Sequence, residues 1–600
     1  MEDKFSNRAV SRLLKSIATV YVLKDENRFR VVAYERAADA VDHLAREIKD
    51  IWQDKKLEEI PGVGKAISSH LDEYFRTGHS RHFDEILKKI PESVFVLMQI
   101  PTIGPKKAYK LVMNLNLFDK DTAVEDLKKA CLRGKIAQMV TFGEKSQSDI
   151  LQAIYIYEKR SIKEERMILP YAFSIAERII DYLKQKPYFK RIDKLGSLRR
   201  MVETIGDIDL AAVVDVKYNQ QAIDHFIAYP KTIKIDNAGD KKASIIVTPN
   251  VRVDLRIQEE NSYGSMLQYF TGSKNHNIKL REYALKKNYS LSEYGITKVK
   301  SSLSAKATAD EAKIKKFNSE ERFYGFLGLR WIPPEIREGT DEIELAAKGQ
   351  LLSLVDLRDI KGDLHVHSNF DLQPSHDLGK DSFEEMIKRA KDLNYQYVGF
   401  SEHNPKSSLL DKDAAAILKK RRLVIDKIKA KNPGLKIFSG LEVDILPNGH
   451  LALPEGCPDY LDYLIVSVHS AFDLDAEVMT NRVLEALKNP KVRILGHPTG
   501  RYFGKREGFA LKWEKIFDFV KKNGIALEVN AWPERLDLPD LLVREAVNMG
   551  VKLIINTDAH AASHLNNMFY GVEVARRGWA EKKNIVNCLD ASDFKNWLVG

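Results

Sequence analysis

The sequence predicts a multidomain chain: helical domains with helix-hairpin-helix turns, then a mixed α+β region, then an α/β region with the pattern of a β/α barrel. Three observations predict it. The 600 residues exceed what one hydrophobic core serves and correspond to roughly four domains. Two Gly-centred turns, Ile60-Pro-Gly-Val-Gly-Lys65 and Ile100-Pro-Thr-Ile-Gly-Pro-Lys-Lys107, recur between stretches of helical periodicity. After Lys361, short apolar strands alternate with helical segments.

From Asn7 to about Lys55 the apolar residues keep helical spacing, with Val10, Leu13, Leu14 and Ile17 on one stripe and Val41, Leu44, Ile48 and Ile51 on a second. The two glycine turns follow, and Phe142-Gly-Glu-Lys145 is a weaker third copy. From about Lys190 the texture changes to β-rich runs, Ile208 to Val214, Ser244 to Thr248 and Val251 to Ile257, separated by Asn, Gly and Pro. Trp331-Ile-Pro-Pro334 and the acidic stretch to Gly349 read as a linker. The barrel strands are Tyr397 to Phe400, Lys436 to Phe438, Tyr463 to Val468, Ile494 to Gly496, Ala526 to Val529 and Lys552 to Asn556.

The composition, 44% apolar and 30% charged with both signs interspersed, excludes a disordered or fibrous polymer. No apolar run is long enough to span a membrane, and Met1-Glu-Asp-Lys lacks the apolar stretch of a signal peptide, so a cytoplasmic protein is expected. Cys131, Cys457 and Cys588 are odd in number and far apart, which excludes a disulfide framework and a cysteine zinc ribbon. Charge is unevenly spread: residues 1–350 hold 60 Lys and Arg against 50 Asp and Glu, and residues 351–600 hold 35 of each. Nine of the 15 histidines lie in that neutral second part. A basic front suits a polyanion, and a neutral His-rich back suits metal ligation.

In a Pro-Gly-x-Gly turn the glycines permit a tight bend and close approach, leaving the N–H groups of the next helix start facing an anion. Gly62, Gly64, Lys65, Gly104, Lys106 and Lys107 are thus candidate contacts to a duplex DNA backbone, independent of base sequence. In Gly206-Asp-Ile-Asp-Leu210, strand alternation puts Asp207 and Asp209 on one face, and Val251-Arg-Val-Asp254 supplies a third carboxylate on another strand. Three such carboxylates can hold two Mg²⁺ ions for in-line phosphoryl transfer. Upstream, Gly196-Ser-Leu-Arg-Arg200 offers hydroxyl and guanidinium groups that suit a triphosphate. Downstream is Tyr269-Phe-Thr-Gly-Ser-Lys-Asn-His-Asn277.

These motifs, in this order, make residues 1 to about 330 resemble a family X DNA polymerase, the gap-filling repair polymerases. The resemblance implies a nucleotidyltransferase palm with catalytic Asp207, Asp209 and Asp254 on Mg²⁺, and a thumb. It implies Ser197 and Arg200 on the dNTP phosphates and Tyr269, Phe270 and Gly272 around the sugar. Asn277 and Arg281 would face the minor groove of the nascent pair. Two departures stand out. His70 occupies the position of the Schiff-base lysine of lyase-competent members, and an imidazole cannot form that imine. Met201 replaces a residue that is often glycine.

In the second part, Gly362-Asp-Leu-His-Val-His367 is followed at successive strand ends by Glu402-His403, Leu441-Glu442, Val468-His469, Gly496-His497 and Asp558-Ala-His560. Strand ends of a β/α barrel converge on one face, so these residues can meet. Imidazole with carboxylate suits Zn²⁺ or Mn²⁺. From about residue 355 the chain resembles the polymerase and histidinol phosphatase (PHP) phosphoesterase domain, a distorted barrel that bacterial family X polymerases carry at the C-terminus. The resemblance implies up to three metal ions on His365, His367, His403, Glu442, His469, His497, Asp558 and His560. Asp377 or Asp371 would be the ninth ligand, because Asp371-Leu-Gln-Pro-Ser-His-Asp377 replaces the usual Ser-Asp-Gly. Glu402 stands where the family has Asp.

The expected divisions are a helical domain with the first hairpin (1–85), a fingers-like helical domain with the second (86–155), palm (156–258), thumb-like domain (259–333), linker (334–360) and PHP domain (361–600). The expected function is short-gap filling in base excision repair from dNTPs on gapped or nicked duplex DNA, with a PHP 3′–5′ exonuclease and abasic-site endonuclease. A nucleoid-associated monomer with no membrane partner is expected. The rivals are a repair nuclease whose polymerase half positions DNA, a non-catalytic DNA scaffold, and a small-molecule phosphatase. The last leaves the hairpins unexplained.

Overall fold

The structure is a computed structural model. It describes all residues except 1–4, 6, 25–27, 43–47, 61, 89, 99, 101–102, 140–141, 162–165, 249, 300–313, 407, 410, 455, 507 and 600. Its front is helical. Asn7–Leu23 and Arg28–Asp42 pack on each other, and Asn7–Leu23 on Arg81–Leu87, in a core of Val10, Leu14, Ile17, Ala37 and Val41 that Leu71 of Lys65–Thr77 joins. A separate core of Val94, Leu97, Leu111, Val112, Leu127 and Ile154 holds the helices Glu92–Leu97, Pro105–Leu115, Ala123–Leu132 and Glu144–Ser161. Pro105 opens its helix, where a fixed φ and a missing N–H cost nothing, and Asn116 closes it at φ +54°.

A five-stranded sheet follows, with β1 Arg191–Lys194, β2 Ile208–Val213, β3 Thr232–Ala238, β4 Lys242–Val247 and β5 Val251–Gln258 in the order β1-β2-β5-β4-β3. Only β2 and β5 are parallel, and their register sets Asp209 opposite Asp254. The helices Leu169–Lys184 and Asn219–Ile227 cover one face through Ile175, Ile179, Leu183, Ile223 and Phe226. The helices Tyr263–Thr271 and Lys274–Leu285 and the hairpin β6 Tyr289–Ser292, β7 Gly295–Lys298 come next.

The last 240 residues form a parallel sheet of seven strands in sequence order, β8 Gly362–Val366, β9 Tyr397–Phe400, β10 Lys436–Asp444, β11 Tyr463–Ser467, β12 Val492–Leu495, β13 Ala526–Asn530 and β14 Leu553–Asn556. It is nearly closed: His367 N donates to Ala559 O at 2.8 Å and Ala559 N to His365 O at 3.1 Å, joining the first strand to the residues after the last. β9 and β11 are buried along their whole length, as parallel strands covered on both faces must be.

The 334–360 stretch, read above as a linker, is packed. Ile336, Ile343 and Ala346 enter the core around Phe323 and Tyr324, together with Trp579 of the barrel, and Val355 and Ile360 enter the barrel core. Phe173 of the five-stranded domain packs on Phe569 and Tyr570 at ring separations of 5.4 and 6.1 Å, and Arg501 forms a bidentate pair with Glu203 at 2.8 and 3.0 Å. The packed pieces are the helical turns Pro334–Ile336 and Glu342–Ala347, too short for helical periodicity to show in the sequence.

Candidate active sites

At the first hairpin, Gly62 holds φ +78°, and a Cβ there would lie 2.8 Å from Ala37 N, so glycine is required by the fold itself. Gly64 and Gly104 differ: each caps the following helix in extended conformation, and a Cβ would meet nothing within 4 Å. Both helix starts are therefore open to an approaching backbone, and Lys65, Lys106 and Lys107 are exposed beside them. His70 stacks on His82 at 4.1 Å, and burial followed by the His82 charge lowers its pKa.

Asp209 and Asp254 face each other across β2 and β5, with Asp207 exposed in the bend just before β2. Asp254 is buried and lies 3.1 Å from Arg252 Nε and 3.3 Å from Lys242 Nζ. Burial opposes its charge, yet Ser244, Lys242 and Arg252 hold its pKa below the usual value. Asp209 has less compensation: burial first, and then the charge of Asp254, push it up to about 6. A crowded carboxylate set of this kind suits divalent cations.

Gly196, at φ +58°, leaves only 3.0 Å between a would-be Cβ and Asp209 Oδ2, so the turn with Ser197 and Arg200 lies against the carboxylates. Met201 takes φ +54°, a left-handed conformation that favours glycine. Arg200 donates to Thr271 O at 2.6 Å and to Glu338 at 3.2 Å. A Cβ on Gly272, at φ +71°, would lie 3.1 Å from Arg200 Nη1, which brings Tyr269, Phe270 and Gly272 to the same place. Asn277 donates to Tyr269 O at 2.7 Å and accepts from Gln268 at 2.9 Å, and Arg281 is exposed one turn on.

The barrel brings the eight strand-end residues together. Glu442 Oε2 lies 3.1 Å from His365 Nε2, 3.6 Å from His367 Nε2 and 3.0 Å from His403 Nδ1. Its Oε1 lies 3.5 Å from His469 Nε2 and 2.9 Å from His497 Nε2. Asp558 Oδ1 lies 3.2 Å from His367 Nε2, and His560 stacks on His367 at 4.1 Å. Asp558 holds φ +54° and His497 φ +26°, backbone strain placed at the site. The fit to metal ions rests on orphaned atoms. His365 Nε2, both ring nitrogens of His367, His403 Nδ1 and Glu442 Oε2 are buried and make no hydrogen bond, though unpaired buried polar atoms are costly.

Neither Asp371 nor Asp377 joins any candidate metal group among the described residues; Asp371 accepts from Gln373 N at 2.7 Å and Asp377 lies 3.5 Å from Arg36. His376 joins one instead, with Asp444 and His469. Asp444 accepts from His469 Nδ1 at 2.7 Å, which turns Nε2 toward Glu442. Glu528 does the same for His365 at 2.7 Å. Glu402 is bound by buried Arg421 and by Ser368 N. Sequence reasoning missed His376, Asp444 and Glu528. His376 lies inside the quoted stretch 371–377 and Asp444 two residues past Glu442, whereas Glu528 meets His365 across the barrel, 163 positions away.

Residues 5–80 match a helix-hairpin-helix domain, 266–338 a DNA polymerase beta thumb and 363–531 a PHP domain. DNA polymerase/3′-5′ exonuclease PolX of Bacillus subtilis is 34% identical over 591 residues, 98% of each chain. DNA polymerase lambda of Arabidopsis thaliana is 23% identical over 55% of this chain and 62% of its own. A probable phosphatase of a Thermoanaerobacter species is 26% identical over 39% of this chain and 93% of its own. The chain belongs to the family X DNA polymerases that carry a PHP domain.

Proposed function

We propose that the chain extends a 3′-hydroxyl across short gaps with its five-stranded domain and trims 3′ ends, or cleaves at abasic sites, with its barrel, as a cytoplasmic, nucleoid-associated monomer in base excision repair. The pairing of Asp209 with Asp254, beside the Gly196–Arg200 turn, carries this reading. The palm extends over 156–258 and the thumb over 259–333, and Asp207, Asp209 and Asp254 would hold Mg²⁺. Ser197 and Arg200 bind the dNTP phosphates, while Tyr269, Phe270 and Gly272 shape the sugar pocket. Asn277 sits with its amide fixed against the Tyr269 carbonyl, and Arg281 faces the duplex. Gly64 and Gly104 admit the phosphate backbone, and the neighbouring lysines neutralise it.

In the barrel, His365, His367, Glu442 and Asp558 would hold one ion, and His403, Glu442, His469 and His497 a second. His367, His403 and His560 would hold a third, with His376 rather than Asp377 or Asp371 in the ninth position. Divalent ions such as Mn²⁺ or Zn²⁺ supply Lewis acidity for phosphodiester hydrolysis there. Asp444 and Glu528 fix the tautomers of His469 and His365. Arg535, whose Nη1 is buried without a hydrogen bond and whose Nε lies 3.8 Å from Asp558, is placed to meet a substrate phosphate.

A labelled one-nucleotide-gapped duplex, incubated with and without dNTPs in Mg²⁺ and then Mn²⁺, tests the reading. Extension by one nucleotide with dNTPs, and shortening from the 3′ end without them, are expected. Shortening with no extension under any condition would leave the nuclease alone.

A further inference from the structure

Arg200 and Arg577 are 377 positions apart and share one carboxylate. Glu338 Oε1 accepts from Arg577 Nη1 at 2.9 Å and from Arg200 Nε at 3.2 Å. Arg577 Nη1 also donates to the backbone carbonyl of Arg200 at 2.9 Å and to that of Glu335 at 3.3 Å. Arg577 itself is anchored by Asp540 Oδ2, at 2.8 Å from Nε and 2.6 Å from Nη2. It is the last residue of the barrel helix Met568–Arg577, and its side chain is 7% exposed.

Arg200 has five N–H donors. Among the described residues its partners are Thr271 O and Glu338, which leaves three donors for an anion. A carboxylate this close is a competitor, because carboxylate and guanidinium prefer a two-pronged pairing that would occupy those donors. Glu338 makes only the single contact to Arg200 while Arg577 draws on the same oxygen.

We propose that Arg577 is a positioning residue for the incoming nucleotide: by drawing Glu338 toward the barrel and holding the Arg200 carbonyl, it keeps the Arg200 guanidinium open to the triphosphate. The inference rests on the reading of Arg200 as a phosphate contact. The barrel domain thereby sets nucleotide affinity at the other active site without touching the nucleotide.

The test uses the full-length protein, a one-nucleotide-gapped duplex and Mg²⁺. Arg577→Gln is expected to raise KM for the dNTP about ten- to hundredfold, the range of one charged hydrogen bond, with kcat, duplex Kd and 3′-end hydrolysis within about twofold of wild type. Glu338→Gln alone stays within about twofold in KM, and adding it to Arg577→Gln restores KM to that range, since the competitor is gone. Arg577→Lys keeps a cation against Asp540, and so the fold, but cannot reach Glu338 and the Arg200 carbonyl together; an intermediate rise is expected. An unchanged KM in folded Arg577→Gln or Arg577→Lys overturns the proposal, as does a rise that Glu338→Gln fails to relieve or an equal fall in extension and hydrolysis. Arg200→Ala separates the layers: if it leaves KM at the wild-type value, the phosphate role of Arg200 falls instead.

Discussion

His365 lies on β8 and His367 one residue past its end, yet the structure predicts different consequences for their loss. His367 lies 3.2 Å from Asp558 and 3.6 Å from Glu442 and makes no hydrogen bond through either ring nitrogen, so in the ion-free protein His367→Ala removes packing and a smaller support for Asp558 than His365 gives. His365 is a buried counter-charge. Burial opposes its protonation, but the carboxylates of Glu528, Asp558 and Glu442 outweigh burial and hold its pKa well above the usual imidazole range. Removing it strands buried carboxylates, at a cost of about 3–5 kcal/mol. For a domain of this size that lowers the ion-free Tm by roughly 10 °C. Each substitution deletes a proposed ligand and should slow 3′-end hydrolysis by about 10²–10³-fold, or about 3–4 kcal/mol of barrier. Primer extension in Mg²⁺ should stay within about tenfold, because the palm carboxylates lie in a separate sheet. The assay pairs melting with EDTA against hydrolysis and extension on one labelled duplex. Wild-type hydrolysis by folded His367→Ala would refute the metal-centre reasoning. Equal Tm values for the two variants would refute the counter-charge argument.

Asp254→Ala is expected to abolish nucleotide addition while duplex Kd, measured by fluorescence anisotropy, changes little; normal extension would remove it from the catalytic set. Gly104→Val should weaken binding to every duplex alike and leave the helical front stable, whereas Gly62→Val should unfold that front, because its Cβ collides with Ala37 N and its φ is left-handed; circular dichroism and salt-dependent binding distinguish them. Asp209, with a folded pKa of about 6, takes up a proton more readily folded than unfolded, so its charge increasingly destabilises the ion-free fold as pH rises from about 4 to 6. Asp209→Asn should therefore add about 1–3 kcal/mol in EDTA at pH 7.5 and almost nothing at pH 4, read by urea melts. No borohydride-trapped adduct with a 5′-deoxyribose-phosphate end is expected at His70, by mass spectrometry of the peptide containing it.

What the sequence makes legible here is local chemistry. Asp209 lies on the strand that the apolar alternation marks, with Asp207 in the bend just before it rather than on the strand, and the proposed barrel ligands fall at the ends of recognisable apolar runs. The glycine turns are legible too, though not their division of labour: Gly62 serves the fold and Gly64 stands open, a difference that depends on what Arg36 and Ala37 bring to one side. The least legible features join distant segments. Nothing near Glu528 marks it as the partner of His365, and nothing near Arg577 marks it as a neighbour of Arg200. His376 was hidden because two aspartates flank it in the same loop, and only the fold of that loop selects among them.

The apolar packing of Phe173 on Phe569 and Tyr570, with Trp579 seated among Phe323, Tyr324 and Ile336, bears on how the chain comes apart. Palm, thumb and barrel share apolar boundaries, while the two helical cores at the front join each other through Leu23 and Ile90 and, among the described residues, share no core residue with the back. Cooperativity follows shared burial, so the back of the molecule melts as one unit and the front can open ahead of it. A fragment cut at the start of the barrel would leave Phe173 and the surface around Tyr324 facing water and be prone to self-association. Poor polymerase activity in such a fragment would report exposed apolar surface before it reported anything about catalysis.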